Sequence, residues 1–228
     1  MAIVAIFGLL ILALMFLPQL WVRNVISRHS KERSDIPGTG ADLARHLLAG
    51  MKLGHVTVEE TQLGDHYDPE AKAVRLSASH YHGRSLSAVV IAAHEVGHAM
   101  QDATGYAPLK HRTRIAKMAV GIQNVAFILL LATPVLVVLA KSPSIMILQL
   151  AAGVMMIAST VLMHLTTLPV EFDASFKRAL PVLEQGGYLQ QSDMPAAREL
   201  LRAAAFTYVA AAAISLLDIV RWLRILRF

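Results

Sequence analysis

His94-Glu95-Val96-Gly97-His98 sets two imidazoles four residues apart, with a carboxylate directly after the first. On a helix, positions i and i+4 share a face, so His94 and His98 can bind one metal ion. Zinc suits the pair, at Zn–N distances of about 2.0–2.1 Å. Glu95 is rotated by about 100° from His94. It can therefore approach a metal-bound water without ligating the metal, which is the placement a general base needs. Gly97 lets a neighbouring backbone come close to this helix. The chain has no cysteine. That excludes a thiolate zinc finger, a cysteine nucleophile and a Cys-ligated iron–sulfur cluster, and leaves His, Asp and Glu to hold any metal.

A catalytic zinc takes three protein ligands. The extended motif that recruits a third histidine places it six residues after the second, and position 104 is Thr; His111 lies farther on. Glu171 is the outstanding carboxylate, within Leu168-Pro169-Val170-Glu171-Phe172-Asp173-Ala174-Ser175. Pro169 is expected to start a helix that presents Glu171 in its first turn. Two apolar runs separate His98 from Glu171, and an even number of crossings returns the chain to the same face of a membrane.

The elements that must position these residues lie in an apolar chain. Of 228 residues, 55% are hydrophobic and only 16% charged, with a mean hydropathy of +0.52; a soluble domain is about 25% charged. Ala2 to Leu20 carries no charge and predicts an N-terminal anchor, residues 1–20, with Trp21 at the interface. Residues 21–118 form a water-facing domain, since Arg23 to Lys117 holds nine of the ten histidines. Within it, Thr39 caps a helix over Gly40 to Ala49. His55 to Gln62 and Ala73 to Ser77 alternate as strands around a turn at Gly64 to Pro69. Ser85 to Gln101 is apolar at three- and four-residue steps and predicts the helix that carries the motif. Residues 119–165 read as a transmembrane hairpin, its runs Ala119 to Ala140 and Ser144 to Leu165 joined by a turn at Lys141 to Ser144. Residues 166–202 form a helical segment with the third candidate ligand, and 203–228 a C-terminal membrane or interfacial helix. The net charge of +5 is explained by juxtamembrane Lys and Arg, and no nucleic-acid partner is expected.

Four runs in order give the sequence a resemblance: Tyr81-His82-Gly83-Arg84-Ser85, Ala92 to Gln101, Leu168 to Ser175 and Ala203 to Ala212. Together they resemble the bacterial YugP-type membrane zinc metallopeptidases over nearly the whole chain. That family is distantly similar to the HtpX and CAAX-prenyl-protease gluzincins, whose third ligand is the Glu of an E-F-x-x-D pattern. Glu171-Phe172 fits, but Ser175 stands where those relatives carry Asp, so Asp173 or Ser175 is left to orient a histidine ligand. The resemblance implies that Ala73 to Ser77 is the edge strand for an extended substrate. It also makes Tyr208 and Arg202 candidates for stabilising an oxyanion.

The sequence thus predicts a mainly α membrane protein, with three to four transmembrane helices and an inserted zincin-like α+β metalloprotease domain. Its expected cofactor is Zn2+, held by His94, His98 and Glu171, with Glu95 as base in peptide hydrolysis. Expected partners are a membrane-associated protein or peptide substrate and the lipid bilayer; a homo-oligomer or a regulatory membrane partner is left open. The rival readings are a zinc-binding scaffold with little turnover and a metal transporter or sensor. A transporter calls for ionisable residues in mid-membrane, and the two long runs contain no Asp, Glu, Lys or Arg. Basic residues concentrate on the motif's side of the hairpin, and the turn carries only Lys141. The positive-inside rule then puts the site in the cytoplasm of a bacterial cell, at the inner membrane.

Overall fold

The computed structural model describes residues 2–140 and 143–206. It is mostly helical, with one small sheet. The long N-terminal helix α1 (Ala2–Arg28) leads into α2 (Gly40–Gly50), which begins at a capping box. Asp42 N donates to Thr39 Oγ1 at 3.1 Å, and Thr39 N donates back to Asp42 Oδ2 at 3.0 Å. Two helix-end donors are thereby satisfied at once. Three strands follow: β1 (Thr57–Thr61), β2 (His66–Asp68) and β3 (Ala73–Ser77). Their spatial order is β1-β3-β2, with β3 parallel to β1 and antiparallel to β2. Ala73 to Ser77 is therefore the central strand, hydrogen-bonded on both sides, and has no free edge to offer a substrate. Ala73, Val74 and Leu76 are fully buried, which is why this strand takes the middle. The short β2, at a position the sequence reads as a turn, stands at the edge.

A single turn, α3 (Ala78–Tyr81), precedes α4 (Leu86–Ala103), the helix of the HExxH motif. Ser85 caps α4, accepting from Ala88 N at 3.2 Å. Val89, Val90, Ala92, Ala93, Val96 and Ala99 are buried around its whole circumference, so α4 is a central core helix. The sheet and α2 pack on one side. On the other lies the segment after the hairpin, where a Cβ on Gly97 would meet Ala174 O at 2.7 Å. Glycine at 97 is what lets that backbone come within reach of the two histidines.

The hairpin consists of α5 (Ala107–Ala140) and α6 (Pro143–Phe172). The stretches Ala107–Ala132 and Ile147–Gln185 are long and apolar enough to cross a membrane. Phe127, Leu131 and Ile147 are more than 60% exposed, as lipid-facing side chains would be. The two helices pack closely, with Gln123 Nε2 donating to Thr160 Oγ1 at 3.0 Å. Both helices continue beyond the predicted runs toward α4, and the site-forming residues ride on these extensions. Pro169 does not start a helix as expected: it lies inside α6, one turn from its end. There its missing N–H loosens the backbone just before a π-helical turn (Asp173–Ala179), which leads into α7 (Leu180–Gln185). Residues 194–206 are helical again. The expected turn residues Lys141 and Ser142, Tyr208 and the C-terminal arginines lie outside the described residues.

Candidate metal centre

His94 and His98 present their rings from one face of α4, with centroids 4.8 Å apart. Glu171, in the last turn of α6, points between them. Its Oε2 lies 3.2 Å from His94 Nε2 and 3.4 Å from His98 Nε2. All three side chains are buried, and their candidate ligand atoms lie within 4.8 Å of one another.

The outer nitrogens decide whether a cation fits. Ser175 Oγ lies 3.0 Å from His94 Nδ1, and its own hydroxyl donates to Leu201 O. Ser175 is therefore the acceptor, and His94 carries its proton on Nδ1. Gln101 Nε2 donates to Val170 O at 2.7 Å and to Asp173 Oδ2 at 2.9 Å. Its Oε1 is left to accept from His98 Nδ1, at 3.0 Å. Both Nε2 lone pairs thus aim at a carboxylate oxygen. Three electron-rich atoms brought together by buried side chains repel one another unless positive charge sits between them. Burial opposes the imidazolium form of His98, yet the charge of Glu171 beside it drives its pKa upward. Two imidazoles, each held at Nδ1 by an outer partner, and a carboxylate form a donor set suited to Zn2+.

Glu95 sits apart from this triad, as the helical rotation requires. It is buried and faces the same cavity, and it makes no hydrogen bond or ion pair among the described residues. Burial pushes its pKa up, with the charges of His94 and His98 opposing. A carboxylate moved toward neutrality is suited to taking and returning a proton. The cavity holds about 190 Å³, with the triad on its floor. Its walls include His66 and Tyr67 from the edge strand β2, and Leu109 and Arg112 from the start of α5.

Ser175 and Asp173 divide the orienting work between them. Ser175 holds His94 directly, whereas Asp173 acts on His98 through Gln101 and is itself held by Arg178 Nε at 2.7 Å. The sequence reading assigned Gln101 no role. Its signal was there, since position 101 lies three residues after His98 on the same face. We expect Gln101→Ala to weaken zinc binding by about 10- to 100-fold, as loss of a ligand's outer partner does. Competition with a chromogenic chelator reads this directly. Arg202 is not brought to the centre: it is exposed and absent from the cavity lining. Its helix turns Leu201 and Ala205 inward, so Arg202 faces out. Asp102 does not touch His98 but accepts from the Tyr67 hydroxyl at 2.7 Å, tying β2 to the end of α4. His80 is buried against Asp65 at 2.8 Å, and His82 is exposed beside Glu60.

A buried His–His–Glu triad, with two histidines from an HExxH helix and the glutamate from the end of an apolar hairpin, is a donor set of the kind that zinc metallopeptidases use. Sequence comparison points the same way. Residues 3–227 match the family described as "Putative neutral zinc metallopeptidase". The chain is also 37% identical over 216 residues to "Putative membrane protease YugP" of Bacillus subtilis (strain 168), covering 94% of this chain and 92% of that protein. No solved structure matches it. The chain belongs to this zinc metallopeptidase family.

Proposed function

We propose that the protein is a membrane-embedded zinc endopeptidase that hydrolyses peptide bonds of membrane-associated or membrane-proximal proteins. One observation carries this reading: two oriented imidazoles and a carboxylate converge on the cavity that the unligated Glu95 also faces. A zinc ion held by His94, His98 and Glu171 would supply Lewis acidity to a peptide carbonyl and lower the pKa of a water. Glu95 takes the proton of the attacking water and delivers it to the leaving amine. Ser175 and Gln101 hold the two imidazoles in the tautomer that keeps Nε2 free. The outer edge of β2 offers backbone groups to an extended peptide, and His66 and Tyr67 place that edge at the cavity wall. The test is cleavage of a membrane-anchored reporter in liposomes. Cleavage should stop on chelation and return on adding zinc; cleavage that persists without metal would sink the reading.

The same reading places the centre on the cytoplasmic side of the bacterial inner membrane, within a zincin-like domain carried by three to four spans. Single cysteines at Ser34 and Ser142 test the orientation, because the chain has no cysteine of its own. A membrane-impermeant maleimide added to intact cells should label position 142 and spare position 34. The reverse pattern would put the centre outside.

A further inference from the structure

The first turns of α5 carry Lys110, His111, Arg112, Arg114 and Lys117, with no acidic residue among them. Four of these five are exposed. Arg112 differs because it shares a helix face with Leu109 and Ala119, which are 4% and 2% exposed. The apolar period of that face is broken by one guanidinium, half-buried and lining the cavity of the candidate metal centre. Arg112 makes no hydrogen bond or ion pair with any described residue. Of the three carboxylates in the same lining, Asp65 is engaged by His80 and Ser77 and Glu171 by the two imidazoles, while Glu95, the candidate base, forms no ion pair with Arg112.

A guanidinium that lines a cavity with no protein partner keeps its donors free for a ligand there. Its planar fork of donors matches a carboxylate in bidentate geometry. We infer that Arg112 is a specificity-determining residue that receives a carboxylate of the bound peptide, in the cavity that His66 and Tyr67 of β2 also line. The proposal rests on the peptidase reading and names its substrate class: peptides with an acidic side chain, or a free C-terminal carboxylate, close to the scissile bond. The two sources share one chemistry, and peptide design separates them.

The test measures binding as well as turnover. Full-length protein with Glu95→Gln, loaded with zinc in nanodiscs, is titrated with matched fluorescent peptides. These carry Glu or Gln on either side of the target bond and a free or amidated C-terminus. Carboxylate-bearing peptides should bind about 10-fold tighter or more, the range of a charge-assisted hydrogen bond. Adding Arg112→Gln should abolish the difference, and Arg112→Glu should reverse it toward a Lys-bearing peptide. Zinc content and melting temperature report whether these variants remain folded. Loss of preference on amidation identifies the C-terminal carboxylate; loss on Glu to Gln identifies the side chain. Equal binding of acidic and neutral peptides overturns the proposal. So does an Arg112→Gln effect that is equal on all peptides, or one seen only as weaker binding to anionic vesicles. Failure of the Glu95-containing protein to cleave peptides that bind would instead overturn the peptidase reading and leave the Arg112 preference standing.

Discussion

Glu95→Gln is expected to reduce peptide cleavage by about 10²- to 10⁴-fold, the usual contribution of a positioned base, while zinc content and fold stay as they were. The substitution keeps shape and volume and removes only the ability to hold a proton. Nothing in the fold depends on the lost charge, because Glu95 has no hydrogen-bond or ion-pair partner among the described residues. The ligand atoms come from His94, His98 and Glu171, so metal content should be unchanged. Cleavage rate, bound zinc and melting temperature, measured on one preparation, give the answer. Cleavage near the wild-type rate would remove Glu95 from the mechanism, and loss of zinc would show that it is a ligand.

Glu171→Ala should act on the other side of this division. It takes away the only carboxylate among the three candidate ligands, and leaves two imidazoles with no anion between them. Zinc affinity should fall by more than the 10- to 100-fold expected for an outer partner such as Gln101. Cleavage should fall with it at any ordinary zinc concentration. Dialysis against a mild chelator, followed by metal analysis, separates the outcomes. Stoichiometric zinc after dialysis would mean that another residue is the third ligand. The structure leaves little room for one: His111 is exposed on α5, and Asp173 is engaged with Gln101 and Arg178.

The helix of the motif and the cap at Thr39 are legible in the sequence, because each depends on neighbours within a turn or two. Glu171 is legible for a different reason: it is the first carboxylate in the segment that topology returns to the motif's side. The strand order is hidden because β1 pairs with β3 in parallel across an intervening strand, and no local pattern records that pairing. Pro169 misleads for a physical reason as well. Proline is favoured at a helix start but tolerated near the end of a long apolar helix, where the next turn is already relaxed to π geometry. Gln101 lies in the motif's own helix, but its value rests on two hydrogen bonds to a distant segment, at Val170 O and Asp173 Oδ2, which no local pattern records. Arg112 reads as one of four Lys and Arg residues at the start of α5, and only the register of α5 against the cavity sets it apart. Tyr208 lies outside the described residues, and its proposed role rests on resemblance alone.

The triad straddles the hairpin: His94 and its partner Ser175 are 81 residues apart, with both apolar helices between them. During synthesis, a nascent chain therefore exposes the two histidines and the base well before the last ligand leaves the ribosome. Until α5 and α6 have been made and the chain has come back, the centre lacks the only carboxylate among its three candidate ligands. A half-made copy therefore holds two histidines of the candidate donor set without the glutamate that completes it.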